Sequence, residues 1–540
     1  MKLSIFFFTI ILLFSFNNLT GNNLDLASIS ITVMNNENEL HVVNLNTNYI
    51  GGILDEWGSV SKIDNNNNNL ILAGESRSFD IDLVNYQQTF NGGSDGLIIK
   101  YDNNGDIVFS TFLGGSSFEY VNEIALDSLG NIIVMGYTQS NDFPTTVGAY
   151  NANFTSGSQN SFLAKYNPEG LLIFSTLIGS GPVFRSGGVA VDPQDNIIVV
   201  GGTSSDIFPK LNAYQETFSG IEDGYITKFA SNGSMIFSTY LGGSGPDLLN
   251  RVEINSVGEI ILYGRTSSSD FPLVDPIGDT GKLNNLNLVI AKLSNDGQSL
   301  IFSTTFGGGG DDIAAGLKLD ENDNILFGGM TESVDFPIVG GMKNNSSTES
   351  AFLTKITSDG QQIIFSSYVG GTNSDWIYSI EITSHDDLVI TGHISSTDFP
   401  LVNPIQDTHG GLDDAFLMIL SENADEILYS TYIGGSGWDA GWRLNFDING
   451  HLFLTGFTGS DNLFLNGTIE SANQGGIDFF LAEFTIEYLQ DSTTSSTINT
   501  ETSRSSITND ETPTFDLPTN IAILNLVFIH IIIKKNNKNR

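Results

Sequence analysis

Six carboxylates stand at one repeated position of this 540-residue chain, and together they could bind a metal. Five residues after the first glycine of seven recurring glycine-led links come Glu56, Glu119, Phe184, Asp247, Asp312, Asp375 and Asp439. Gathered at the mouth of a common channel, the six acids would hold a hard cation through oxygen ligands, with calcium the candidate cofactor. The same acids would serve equally as acceptors for the amides of the loop that opens each unit. All four tryptophans, Trp57, Trp376, Trp438 and Trp442, follow the same links within eight residues. As a cluster they would stack on sugar rings or on a partner's apolar patch, and as core residues they would pack between units. Both readings stay open for both sets.

Other chemistry is thinly represented. Without cysteine there is no thiol nucleophile and no thiolate metal site. The six histidines have no metal-ligand spacing, and the glycine doublets precede strands rather than helices, so they are not phosphate loops. Asp-rich segments such as Asp102 to Asp106 and Asp320 to Asn324 lack the acid spacing and closing glutamate of a calcium loop and read as turns. Carboxylate pairs are too numerous to single out a glycosidase pair, which leaves a polysaccharide hydrolase or lyase as an alternative.

The elements that must position these residues are announced by one phrase. An aromatic residue, Ser, and Ser or Thr precede the link at Phe109-Ser110-Thr111, Phe174-Ser175-Thr176, Phe237-Ser238-Thr239, Phe302-Ser303-Thr304, Phe365-Ser366-Ser367 and Tyr429-Ser430-Thr431. A weaker copy, Tyr49-Ile50, comes first. The first glycines stand at 51, 114, 179, 242, 307, 370 and 434, a period that marks an array of one supersecondary unit. Within the second unit, β-prone runs at Glu123 to Asp127, Ile132 to Met135, Ser161 to Tyr166 and Leu171 to Thr176 are separated by a tight turn, a long polar connection and a second tight turn. Four such strands make an antiparallel meander, and tandem meanders solve their edge problem by packing radially as propeller blades. The seventh unit lacks an aromatic-Ser-Thr strand, while an unclaimed strand, Leu40 to Asn46, precedes Gly51. The expected fold is all-β: a seven-bladed β-propeller of four-stranded antiparallel blades, the last closed by this N-terminal strand.

The order of link, acid, strand, Asp-x-x-Gly-Asn, strand, Gly-x-Thr, Asp-Phe-Pro, strand and Phe-Ser-Thr resembles the seven-bladed β-propeller repeat family known as SBBP, over about residues 45 to 485. Asp-Phe-Pro recurs at Asp142, Asp270, Asp335 and Asp398, with one residue inserted after Asp206. Blade one departs with Ser78-Phe79-Asp80, and blade seven with Asp461-Asn462-Leu463-Phe464. The resemblance implies the propeller and an exported scaffold. It implies no activity, because a fold does not fix a function.

Both ends point outside the cytoplasm. Lys2 and the apolar run Leu3 to Phe16 have the pattern of a signal peptide, expected over 1–21. Residues 490–516 are a Ser/Thr-rich stalk, 517–533 an apolar stretch expected to anchor the chain in a membrane, and 534–540 a basic tail on its cytoplasmic side. The propeller is expected over 22–489. All 62 acids lie between residues 22 and 533 with only 16 of the 21 bases, which argues against nucleic acid as a partner. Alternation of strand direction puts the long second-to-third connections and the glycine links on one face, the candidate binding face. The reading is a cell-surface scaffold for binding or adhesion, with an extracellular glycan or protein as ligand. A structural surface-layer component is the third alternative.

Overall fold

The computed structural model describes residues 9–16, 26–34, 40–154, 159–180, 187–278, 285–342, 349–463, 473 and 475–488. The chain divides into two units, Met1–Glu37 with Asp491–Arg540, and Asn38–Gln490. In the first, Thr9–Phe16, part of the run expected as an export signal, pairs antiparallel with Leu26–Met34. The stalk, the apolar stretch 517–533 and the basic tail lie outside the described residues. Among the described residues no helix is long and apolar enough to cross a membrane.

The second unit is a seven-bladed propeller of four-stranded antiparallel sheets. Blade two shows the plan: Glu119–Leu126 innermost, then Ile132–Thr138, Asn160–Tyr166 and Leu172–Ser180 outermost. The strands run longer than the apolar runs predict. The first begins at its acid, whose side chain fixes the strand's entry, and the second continues through Gly136-Tyr137-Thr138 to meet that acid. Third strands such as Asp223–Phe229 are buried along their whole length, because a neighbouring blade covers each face. Apolar clusters therefore sit between blades. Ile133, Leu163, Tyr225 and Phe229 join blades two and three, and each of the other junctions has its own cluster.

The ring closes as the repeat count requires. Blade seven is ordered Asp439–Phe446, Leu452–Thr458, Asp478–Tyr488 and then Leu40–Ile50, with Leu40 opposite Tyr488 and Ile50 opposite Phe479. Only closure removes both free edges of such an array.

The recurring Ser and Thr now have a cause. Each outer strand presents unpaired backbone on its outer side, and the long connection returns along it. Val402 N–H donates to Ser430 Oγ at 2.7 Å and Gln406 N–H to Thr431 Oγ1 at 2.9 Å, while Ser430 Oγ donates to Pro400 O at 2.6 Å. Equivalent bonds join Val84 to Ser110 and Gln215 to Thr239. The long connections are thus in part edge covers, pinned by the two hydroxyls, and not wholly free loops.

Candidate functional site

Each repeated acid opens the innermost strand of its blade and is fully buried or nearly so: Glu56, Glu119, Asp312, Asp375 and Asp439 at 0% exposure and Asp247 at 1%. Its carboxylate accepts the amide of the second residue of its own link, Gly52 for Glu56 (3.0 Å), Gly115 for Glu119 (2.7 Å), Gly243 for Asp247 (2.7 Å), Gly308 for Asp312 (3.0 Å), Gly371 for Asp375 (2.7 Å) and Gly435 for Asp439 (2.7 Å). Hydroxyls on and after the second strand supply the rest, as Ser268 does for Asp247 and Ser460 for Asp439, both at 2.7 Å. Each of the six is thus engaged by its own link, holding the turn between blades. Phe184 lies outside the described residues. Among the described residues no three acidic or histidine side chains converge as metal ligands.

A second acid faces the first across the junction. Asp95, Asp223, Asp414 and Asp478 open third strands, are fully buried, and belong to the blade preceding Glu119, Asp247, Asp439 and Glu56 respectively. The first glycine of the link packs onto both, so that a Cβ on Gly114 would overlap Asp95 Oδ1 and Glu119 Oε2. Only glycine fits there. Burial, followed by the neighbouring negative charge, pushes Asp95 well above the usual carboxylate range, and burial raises Glu119 as well. Burial likewise pushes Asp247 and Asp223 each up to about 6 against the hydrogen bonds they accept. A shared proton satisfies such a pair, because two carboxylates held together do not both ionise readily. These third-strand acids were legible in the sequence as Asp95-Gly96, Asp223-Gly224, Asp414-Ala415 and Asp478-Phe479, at the repeat's own period.

The tryptophans converge. Trp57 and Trp438 have ring centroids 5.7 Å apart and both contact Phe457, at 5.6 and 4.9 Å. Trp442 touches the same ring at 5.7 Å and Tyr378 at 4.5 Å, and Tyr378 passes the run to Trp376 at 5.9 Å. Blade one, remote in sequence from blades six and seven, thus shares one aromatic surface with them at the long-loop end of the channel. The four tryptophans are half-buried, while Phe457 beneath them is buried. The enclosed indole N–H groups of Trp57 and Trp438 have no hydrogen-bond partner. Two of the aromatics are placed by bulges. Register slips between Ile377 and Ser379 and between Gly441 and Arg443 leave Tyr378 and Trp442 as the extra residues, a device that re-aims a side chain. His393 stacks on Trp376 at 5.9 Å, whereas His409 turns to Ile394 O, so these two histidines make separate contacts.

Deeper in the channel the inner strands carry a charged belt. Lys62, Glu123, Arg251, Glu253, Lys318, Glu381 and Arg443 line a cavity of about 60 Å³. Arg443 of blade seven donates to Glu123 of blade two, and Lys318 Nζ to Glu381 Oε2 at 2.7 Å. Burial would raise Glu123, but Arg443, Arg251 and Lys62 hold it below the usual range; Glu253 is raised by burial. The belt closes the channel to anything larger than a few waters.

Residues 108–144, from the outer strand of blade one through Asp-Phe-Pro of blade two, match the family model described as SBBP, beta-propeller repeat. Over 145 residues, 25% of the chain, the sequence is 28% identical to an uncharacterized WD repeat-containing protein of Acanthamoeba polyphaga mimivirus, and the match spans only 10% of that relative's length. A protein of unknown function from Dyadobacter fermentans superposes with a TM-score of 0.39 at 9% identity, over 83% of this chain and 99% of that one. The Pan2 WD40 domain of Neurospora crassa superposes with a TM-score of 0.40 at 8% identity, over 79% and 89%. The Dos1 propeller gives 0.38 at 8%, over 82% and 95%. Seven four-stranded blades, glycine links locked by buried acids and the matched segment together make this chain a seven-bladed β-propeller that carries the SBBP beta-propeller repeat.

Proposed function

We propose that the protein is an exported, surface-anchored binding scaffold that takes a glycan, or a protein presenting a flat apolar patch, on the aromatic surface at the long-loop end of its channel. The observation that carries this reading is the convergence of Trp57, Trp376, Trp438 and Trp442 onto Phe457 and Tyr378 across three blades. Trp57 and Trp376 share one repeat position, but Trp438 and Trp442 have no tryptophan counterpart in any other blade, so the cluster goes beyond what the repeat supplies. Half-buried indoles offer a stacking face to a sugar ring or to an apolar patch. The belt below offers about 60 Å³, well short of the roughly 300–1,000 Å³ of ordinary ligand pockets, which supports a surface site above the belt over one within the channel. Export rests on the signal-like residues 1–21 and anchoring on 517–533.

Glycan-array binding of the chain, compared with a Trp438→Ala, Trp442→Ala double variant, tests the reading. Loss of signal in a folded variant supports it, and equal signal in both removes the aromatic surface from the ligand site. Release of shortened oligosaccharides from any bound glycan would favour the hydrolase or lyase instead.

A further inference from the structure

The seam between blades seven and one, on the face opposite the aromatic surface, lacks a component that blades one to five supply for themselves. The sixth residue of the third strand is lysine in those five blades: Lys100, Lys165, Lys228, Lys292 and Lys355. Each ammonium lies near a carboxylate of its own blade's first turn: Lys165 with Asp127 (2.8 Å), Lys228 with Asp192 (2.8 Å), Lys355 with Asp320 (2.9 Å), Lys292 with Glu259 (3.3 Å) and Lys100 with Asp64 (3.8 Å). Four of the five also donate to a carbonyl of the next blade's last hairpin: Pro168 O at 3.0 Å, Ser231 O at 3.1 Å, Asn295 O at 3.1 Å and Ser358 O at 2.6 Å.

Blade six has Ile419 at this position and Thr383 in place of the acid, so both halves of the pair are gone together. Blade seven is different. It keeps the acid as Asp447, and the next blade keeps the hairpin, with Asn103 where Pro168 stands, but the lysine is replaced by Glu483. Beside the junction's buried cluster of Leu72, Leu97, Ile99, Phe112 and Phe479 opens a cavity of about 620 Å³, lined by Asp447, Glu483, His451, Asn103, Tyr101 and Phe453 among others. His451 donates from Nδ1 to Glu483 Oε1 at 2.9 Å and sits at the rim, 35% exposed. Asp447 accepts Asn68 Nδ2 at 3.0 Å and has His451 Nδ1 3.9 Å away, two partial substitutes for the missing ammonium.

We propose that this seam cavity binds a primary ammonium group from outside the propeller, seated where the internal lysines sit in blades one to five, between Asp447, Glu483 and the carbonyl of Asn103. The repeat itself specifies the chemistry, because the same molecule shows this acid-and-hairpin frame occupied by an ammonium five times. Apolar walls from Phe453 and Tyr101 suit the methylene stem that an amine brings with it. A metal ion is the weaker fit: His451 turns the same nitrogen to both acids, 2.9 Å from Glu483 Oε1 and 3.9 Å from Asp447 Oδ2, and among the described residues no group of three acidic or histidine side chains is placed to hold a metal.

The test is calorimetric titration of the purified chain with 1,5-diaminopentane, with Nα-acetyl-lysine methylamide, with 1,5-pentanediol and with calcium chloride. Either amine should bind and the diol should not; a preference for the diamine points to a free polyamine, and a preference for the lysyl amide to a protein side chain. Glu483→Lys should refill the seam from within, raise the melting temperature and abolish amine binding. Glu483→Gln, which keeps the shape, should weaken it about tenfold, the loss of one charged hydrogen bond. Silence from both amines, equal binding of the diol, binding of calcium alone, or unchanged amine affinity in folded Glu483→Lys would each overturn the proposal. The outcome does not depend on the aromatic surface, which lies at the other end of the channel.

Discussion

The two rims of a blade junction are built on opposite electrostatic principles. On the long-loop rim of four junctions acid faces acid, as Asp95 does Glu119 and Asp223 does Asp247, and burial pushes these carboxyls up. On the short-hairpin rim, acid faces lysine. Burial alone would raise Asp127, Asp192 and Asp320 there, but lysine and asparagine donors hold all three below the usual carboxylate range. The contrast shows what each rim is for. The long-loop rim must pass the chain from blade to blade through a glycine that leaves no room for a cation's side chain, so protons and backbone amides satisfy the acids. The short-hairpin rim carries only tight turns, and a lysine can span from one blade to the next.

The largest response that separates the rims is to pH, because it acts on many junctions together. Asp223, Asp247, Asp312 and Asp375 are raised to about 6 by burial, so the stability they contribute is fully present below their unfolded value near 4 and is lost as pH rises through about 6. Asp127, Asp192 and Asp320 are lowered, so their contribution is present above that value and is lost as pH falls through their folded values. Thermal unfolding followed by circular dichroism from pH 3 to 8 should therefore show a maximum between the two limbs. A melting temperature that climbs steadily to pH 8 would break the comparison.

Single substitutions come next. Lys165→Met should cost about 3–5 kcal/mol in denaturant titration, because it leaves the buried Asp127 without its cation. Asp247→Asn, the matching change on the other rim, should cost about 1 kcal/mol or less at pH 5, since a carboxyl that is largely protonated is replaced by a neutral amide that still accepts from Gly243. Equal costs would show that both acids are charged in the fold. The smallest effect is expected in blade six, where the pair Thr383→Asp, Ile419→Lys should change stability by less than about 1 kcal/mol, as a buried ion pair replaces the apolar Ile419 while the new carboxylate can still accept the amides of His385 and Asp387 that Thr383 Oγ1 now accepts.

Much of this architecture was legible because the repeat writes the same local instruction seven times. The acids after each link were visible, and so was the choice between metal ligand and turn acceptor; each is engaged by the amide of its own link in the fold. Asp142, Asp270, Asp335 and Asp398 were legible as a motif, and the structure supplies their work: Asp270 Oδ1 accepts Ser244 N at 2.7 Å and Asp398 Oδ1 accepts Thr372 N at 2.9 Å. Blade one's departure proved selective, for Asp80 keeps that role toward Ile53 while Phe79 turns out to solvent. The seam was not legible. Glu483 reads as one more acid on an acidic chain until the other third strands are laid beside it.

The sequence by itself determined the blade, the number of blades and the strand that closes the ring, because those depend on interactions within about one period of 64 residues and on a count of what is missing at each end. Tertiary structure alone decided which side chains meet across the ring. Trp57 and Trp438 lie 381 positions apart and touch only because closure makes blades one and seven neighbours. The same closure sets Glu483 against the hairpin of Asn103 and leaves the seam cavity between them. Local pattern reports what each blade does to itself, while packing at closure fixes what the first blade does to the last.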